Sequence, residues 1–294
     1  MAYRIFVAKG DKKFPPKGGN FFDYCQSLCY TRVMEFYTLT SSSSGNAALV
    51  RCGDTAILLD AGISARRIAQ SLTALGMTPD ALDAVLITHE HSDHINGIAT
   101  LTKKYGVPIY ASRGTAHFLP QAAPCLRKFD AGDAFTIGSL EIRSFRTSHD
   151  AADSVDYRID GPDGSLGALT DTGYVTDAAA QALAGVDALL LEANHDIPTL
   201  QSGPYPYHLK RRILSEHGHL SNAAAADFAL WCAQHGTSDI LLAHLSAENN
   251  TPAMAEYAVA RRLQAGGCSI RLGVAPKDRM SEVHTICKKS PSFA

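Results

Sequence analysis

The sequence predicts an α/β chain built on a two-sheet core with helices outside it, on three observations. Short apolar runs separated by turn residues recur along the chain, and helical periodicities punctuate them. No regular strand-helix-strand alternation is present, so a doubly wound sheet is disfavoured. Hydrophobic residues make up 46% of the 294 positions, ample for a core and incompatible with a wholly disordered chain.

Taken in order, Glu35 to Thr40 reads as a strand of aromatic and β-branched residues, followed by the apolar runs Ala47 to Cys52 and Ala56 to Leu59. A helix over Ser64 to Leu75 precedes the run Ala84 to Thr88, a second covers Ile95 to Tyr105, and Ile109 to Ala111 is a short strand. Further strands are predicted at Leu140 to Phe145, Ser154 to Ile159, Ser165 to Thr170, Ala188 to Leu191 and Ile240 to Ala243. Helices are predicted at Asp177 to Ala184, Leu209 to Glu216, Ser221 to His235 and Pro252 to Gln264, with Ser221 and Asn222 as a good N-cap.

Lys and Arg number 27 against 29 Asp and Glu, a net charge of −2, which argues against coating long nucleic acid through bulk positive charge. No run approaches the roughly 18 apolar residues of a spanning helix, so a transmembrane chain is excluded. Seven scattered cysteines form no CxxC pair, which indicates neither a disulfide framework nor a cysteine zinc knuckle, and a cytoplasmic location is expected. The close pair Cys25 and Cys29 reads as two ordinary thiols. Residues 1–33 stand apart as a basic extension, a loose tail or a mis-called start, and the functional domain is expected over 34–294.

The most informative stretch is Thr88-His89-Glu90-His91-Ser92-Asp93-His94, an H-x-H-x-D-H pattern after an apolar strand. Three imidazoles and a carboxylate so close together make a first shell for a divalent transition metal. Strand alternation aims His89 and His91 to one side, and Asp93 and His94 fall on the turn into a helix, where they can face a second ion. Further ligands stand after strand-like runs: His149, Asp171 and His244.

With Leu58-Leu59-Asp60-Ala61-Gly62 ahead of these segments in order, the chain resembles the metallo-β-lactamase superfamily over about residues 35 to 273. The resemblance implies a four-layer αββα sandwich and two ions, zinc or manganese. His89, His91 and His149 would hold one ion, Asp93, His94 and His244 the other, with Asp171 bridging and Asp60 orienting a ligand histidine from behind.

Leu191-Glu192-Ala193-Asn194-His195-Asp196 and His217-Gly218-His219-Leu220-Ser221-Asn222 are similar to the glutamate-histidine pair of tRNase Z-like phosphodiesterases. This resemblance makes Asp93, Glu192 and His219 the candidate catalytic residues: His219 assists the leaving oxygen, Glu192 holds it, and Asp93 orients the attacking oxygen. A lactam or thioester needs no such second acid. Together with Ser42 to Asn46 and Tyr205 to Leu214, the motifs resemble the YycJ/WalJ-type branch, which implies 5′-to-3′ exonuclease action on DNA ends.

Lys210, Arg211 and Arg212 are candidate contacts to backbone phosphates, with Arg211 the chosen one, and His195 and Ser221 are further substrate-binding candidates. The stretch from Asp171 to His244 is too short for the added domain of β-CASP nucleases, which favours a strand end or a small phosphodiester. Two other readings stay open: a phosphoribosyl cyclic phosphodiesterase, whose cysteine-based metal ligation is not recognisable here, and a non-catalytic metal-bound scaffold.

Overall fold

The computed structural model describes residues 33–286. Of the extension expected over residues 1–33, residues 1–32, with Cys25 and Cys29, lie outside them, as do residues 287–294.

Continuous apolar runs such as Thr55–Leu59 suit strands covered on both faces. The chain runs β1 (Met34–Ser42), β2 (Gly45–Cys52), β3 (Thr55–Leu59), α1 (Ala65–Ala74), β4 (Ala84–Leu86), α2 (Ser92–Ile95), α3 (Ile98–Thr100), β5 (Ile109–Ser112), α4 (Arg113–Ala116), β6 (Leu126–Phe129) and β7 (Ala134–Ile137). It continues with β8 (Leu140–Arg146), β9 (Val155–Gly161), β10 (Gly164–Leu169), α5 (Asp177–Leu183), β11 (Ala188–Glu192), α6 (Ile197–Ser202) and α7 (Tyr207–Ile213). The last elements are α8 (Asn222–Gln234), β12 (Asp239–Ala243), α9 (Pro252–Ala265), β13 (Arg271–Val274) and β14 (His284–Ile286).

These strands form two seven-stranded sheets, ordered β14-β1-β2-β3-β4-β5-β6 and β13-β12-β11-β10-β9-β8-β7. Three separate apolar clusters mark the three interfaces of a four-layer αββα sandwich. Phe36, Val50 and Ile57 meet Ile142, Tyr157 and Leu190 between the sheets. Leu49 and Leu58 pack with Ile68 and Leu72 of α1 on one outer face. On the other, Leu189 and Leu242 pack with Phe228 of α8 and Val259 of α9. Among the described residues, no helix is long and apolar enough to cross a membrane.

β3 pairs parallel with β4, and β10, β11 and β12 are mutually parallel. Their C-terminal ends therefore open onto one rim of the sandwich, where loops are presented by rigid strands.

Several predicted elements are corrected. The helix expected over Ile95 to Tyr105 is broken, because the Gly97 N–H leaves the helical ladder and donates to the Ala61 carbonyl at 2.8 Å. Ile98–Thr100 follows, and a π-helical turn over Leu101–Tyr105 ends at Gly106 with φ 67°. The helix expected over Leu209 to Glu216 is Tyr207–Ile213. β6, β7, β13 and β14 were not predicted: they are short, and β6 and β13 carry partly exposed, charge-bearing patterns without an apolar run.

Candidate metal centre

β4 ends at Leu86, two residues before the predicted end, so His89 and His91 lie on a loop and strand alternation does not orient them. Thr88 leaves the ladder because Asp60 captures both its N–H and its hydroxyl, each at 2.9 Å. Asp93 and His94 occupy the first turn of α2. His149 follows β8, Asp171 follows β10 and His244 follows β12, all on the second sheet.

Three rim residues adopt left-handed backbone: Asp60 at φ 58°, Asp171 at φ 50° and His244 at φ 55°. Such conformations cost about 1–3 kcal/mol each in non-glycine residues and persist where surrounding structure imposes them. Here each turns the chain sharply at a strand end, so that the side chain faces the pocket. Gly62 fits because a Cβ there would collide with the Asp93 carbonyl, which lets the 60–62 turn and α2 approach.

Of the candidate ligand histidines His89, His91, His94, His149 and His244, each but His91 is held through Nδ1 from behind. His94 Nδ1–H donates to Asp60 at 2.7 Å, and His89 Nδ1–H donates to the Thr88 hydroxyl at 3.0 Å, which itself donates to Asp60. His149 donates to the Gly218 carbonyl at 3.0 Å and His244 to Glu192 at 2.8 Å. Those bonds fix the tautomer and leave the Nε2 lone pairs facing the pocket. His91 presents Nδ1, 3.3 Å from His149 Nε2.

The donors converge into overlapping sets whose ligand atoms lie within 4.8 Å of one another: His89, His91 and His149; Asp93, His94 and His244; His89, His94 and Asp171. No cysteine belongs to these sets among the described residues. His89 Nε2, His244 Nε2 and Asp171 Oδ2 are buried without a hydrogen-bond partner. His94 Nε2, with its proton on the other nitrogen, stands 3.1 Å from Asp171 Oδ2. Lone pairs facing at that distance repel unless a positive charge, a proton on the ring or a metal ion, sits among them, and imidazole with carboxylate is a donor set for divalent transition metals. The residues fit metal ions.

Protonation tendencies express the same demand for positive charge. Burial lowers the pKa of His244, yet Asp171, Asp93 and Glu192 overcome it and raise the ring to about 10. Burial likewise opposes ionisation of Asp171, but His244 and His94 bring its carboxyl well below the usual range.

Glu192, 0% exposed, binds four donors. Its Oε1 accepts from His219 Nδ1 at 2.9 Å and His244 Nδ1 at 2.8 Å, and its Oε2 accepts the N–H groups of Thr172 and Leu220. Burial alone would raise this carboxyl; the bonds from both histidines, with His219 the stronger influence, hold it at about 2. The sequence pairs Glu192 with His219 but does not disclose that the same oxygen serves His244, 52 positions away.

The substrate-contact candidates fare differently. A cavity of about 250 Å³ over the donors is walled by Ser43, Tyr205, Leu209, Arg212, Ile213 and Ser246, and Arg211, His195 and Ser221 are not among its lining residues. Arg211 lies on the exposed side of α7 over the Tyr207 ring. The Ser221 hydroxyl caps α8 by accepting the Ala224 N–H. His195 is 1% exposed with neither ring nitrogen bonded, and burial lowers its pKa to about 4.

Arg212 is the cation of the three that lines the cavity, and it forms a bidentate pair with Asp150, one arm at 2.9 Å. Lys210 instead donates to the Gln201 and Gly203 carbonyls. Sequence reasoning missed Asp150 as a site residue, although an acid directly after a candidate ligand histidine is a signal for it. Asp150 lies 3.4 Å from His149 Nε2.

A model of the β-lactamase superfamily domain matches residues 55–245. The chain is 40% identical over 236 residues to the exodeoxyribonuclease WalJ of Streptococcus pneumoniae serotype 2 (strain D39), covering 78% of this chain and 88% of that protein. It is 36% identical over 242 residues to the exodeoxyribonuclease YycJ of Bacillus anthracis, covering 81% and 92%. Among solved structures, the metallo-β-lactamase fold protein YhfI of Bacillus subtilis matches with a TM-score of 0.66 at 19% identity, over 86% of this chain and 99% of that one. That last likeness concerns the fold alone.

Proposed function

The chain belongs to the metallo-β-lactamase superfamily, and from that premise we propose that it is a metal-dependent DNA exonuclease that holds two divalent transition-metal ions and trims strands from the 5′ end. His89, His91 and His149 would hold one ion, Asp93, His94 and His244 the other, and Asp171 would serve both. Bound ions of this kind supply Lewis acidity and lower the pKa of water.

The observation that carries the phosphodiester reading is the Glu192–His219 pair, whose histidine lines the same cavity as His91, Asp93, Asp171 and His244 while Glu192 stands buried behind it. With Nδ1–H committed to Glu192, Nε2 is the His219 atom left to exchange a proton with the leaving oxygen. Asp93 would orient the attacking oxygen. Arg212 lines the cavity with Asp150 on its Nε and Nη2, which leaves Nη1 as the arm for a phosphate, and Tyr205, Leu209 and Ile213 add apolar contact at the wall. A cavity of about 250 Å³ suits one phosphodiester and the end of a strand better than a continuous duplex. The relatives named exodeoxyribonucleases cover most of the chain and support DNA as substrate.

The test is turnover of a 5′-phosphorylated DNA duplex beside a ribose cyclic phosphodiester, in zinc and separately in manganese, with His91→Ala as the blank. The proposal expects DNA trimmed progressively from the 5′ end. Cleavage of the cyclic compound alone moves the chain to small-molecule phosphodiesters, and two bound ions without turnover of either substrate make it a scaffold.

A further inference from the structure

A second cavity, of about 580 Å³, adjoins the metal pocket and shares the wall residue Ser246 with it. Its volume falls in the range of about 300–1,000 Å³ usual for small-molecule sites. Leu245, Val274 and Pro276 give it apolar walls, while Lys277 and Arg279 stand at its edge. Neither cation has an ion-pair partner among the described residues, and Asp278 is the acid beside them. Pro252 of α9 also lines the cavity, so the positive end of a 14-residue helix opens onto it.

The loop that carries the cations is fixed by its backbone. The Ala275 N–H donates to the Leu242 carbonyl at 2.7 Å, the Thr40 hydroxyl to the Lys277 carbonyl at 2.5 Å, and Arg67 to the Asp278 carbonyl at 3.3 Å. The Lys277 and Arg279 side chains make no structural bond of their own among the described residues. The cavity is also tied to the metal centre: the Ser41 hydroxyl, in its wall, accepts the His244 N–H at 2.9 Å.

We propose that this cavity is a nucleotide subsite, in which Leu245, Val274 and Pro276 take the base and sugar of a single DNA strand while Lys277 and Arg279 take its phosphate. Apolar walls beside paired cations match a nucleotide, apolar on its base face and anionic at its phosphate. The continuity through Ser246 places the occupant further along the same strand, beyond the two nucleotides that flank the scissile bond. The assignment rests on the nuclease reading for its place along the strand, but the binding itself does not require hydrolysis.

The experiment measures fluorescence anisotropy of labelled oligothymidylates of two and five nucleotides, with hydrolysis-resistant phosphorothioate links, against the full metal-loaded chain. The expected result is that the longer strand binds the wild type at least tenfold more tightly, and that Lys277→Glu/Arg279→Glu removes that gain while bound metal per chain stays unchanged. The Lys277→Arg/Arg279→Lys variant should restore it.

A wild type that binds both lengths equally, or a charge-reversed variant that keeps the gain, overturns the subsite. Equal loss for both lengths overturns it too, because the effect then belongs to the metal pocket. Failure to hydrolyse ordinary DNA, with the length-dependent gain intact, would refute the nuclease and leave the subsite standing.

Discussion

Replacing Glu192 by Gln isolates the group whose one oxygen is shared by His219 and His244. The carboxylate accepts four N–H donors and offers no proton. An amide presents one oxygen and one NH₂, so whichever way it is turned, two of the four donors meet another donor. With the oxygen toward Thr172 and Leu220, His219 and His244 lose their charge-assisted bonds, worth about 1.5–3 kcal/mol each, or about 3–6 kcal/mol together. His244 can then place its proton on Nε2, the atom that faces the pocket, where it blocks coordination.

We expect metal affinity to fall about 10- to 100-fold, as for other outer-shell partners of ligand histidines. At saturating metal, turnover should fall a further ~100-fold through loss of the held acid. Competition with a chromophoric chelator reads the first quantity, and release of 5′-nucleotides from a phosphorylated duplex reads the second. Glu192→Gln with wild-type metal affinity would refute the orienting role toward His244, and near-wild-type turnover would refute the role toward His219.

His219→Ala should keep both ions and lose turnover by about 100-fold or more, checked by metal analysis beside the same nuclease assay; loss of metal would instead make His219 a ligand. Arg212→Ala should raise KM for a 5′-phosphorylated strand roughly tenfold, the loss of one charge-assisted phosphate contact, whereas Arg211→Ala, outside the cavity, should change it less than Arg212→Ala does. His195 has a folded pKa near 4 against an ordinary 6.5, so the unfolded chain binds the proton more readily: stability from this group is complete above pH 6.5 and lost as pH falls toward 4. The loss amounts to about 3 kcal/mol, and His195→Asn should remove that part of the acid sensitivity in urea titrations run with chelator at pH 7 and pH 4.

The sequence made legible those parts of the site that chemistry crowds into a few positions. Between His89 and His94 the donor types are dense enough to announce metal, and Ala84 to Leu86 ahead of them is apolar enough to announce a strand. The shared Oε1 of Glu192 was not legible, because the approach of β11 to β12 is a tertiary fact and no local pattern links positions 192 and 244. Nor was the choice among Lys210, Arg211 and Arg212, since successive helical residues turn by about 100° and only the packing of α7 decides which one faces inward. The left-handed backbone at Asp60, Asp171 and His244 escapes sequence reading for a related reason: their residue types do not demand it, and the strand ends that impose it are set by the sheets.

The donors come from separate halves of the sandwich. His89, His91, Asp93 and His94 hang from the first sheet, and His149, Asp171 and His244 from the second. An ion bound among them is therefore a rivet that clamps two sheets which share no strand, and its occupancy becomes part of the lifetime of the fold. At a free metal concentration 100 times the dissociation constant, each ion adds about 2.7 kcal/mol to the stability of the folded chain. On the proposed two-ion reading, the chain without its metal would open more often and be cut sooner by a protease than the loaded chain.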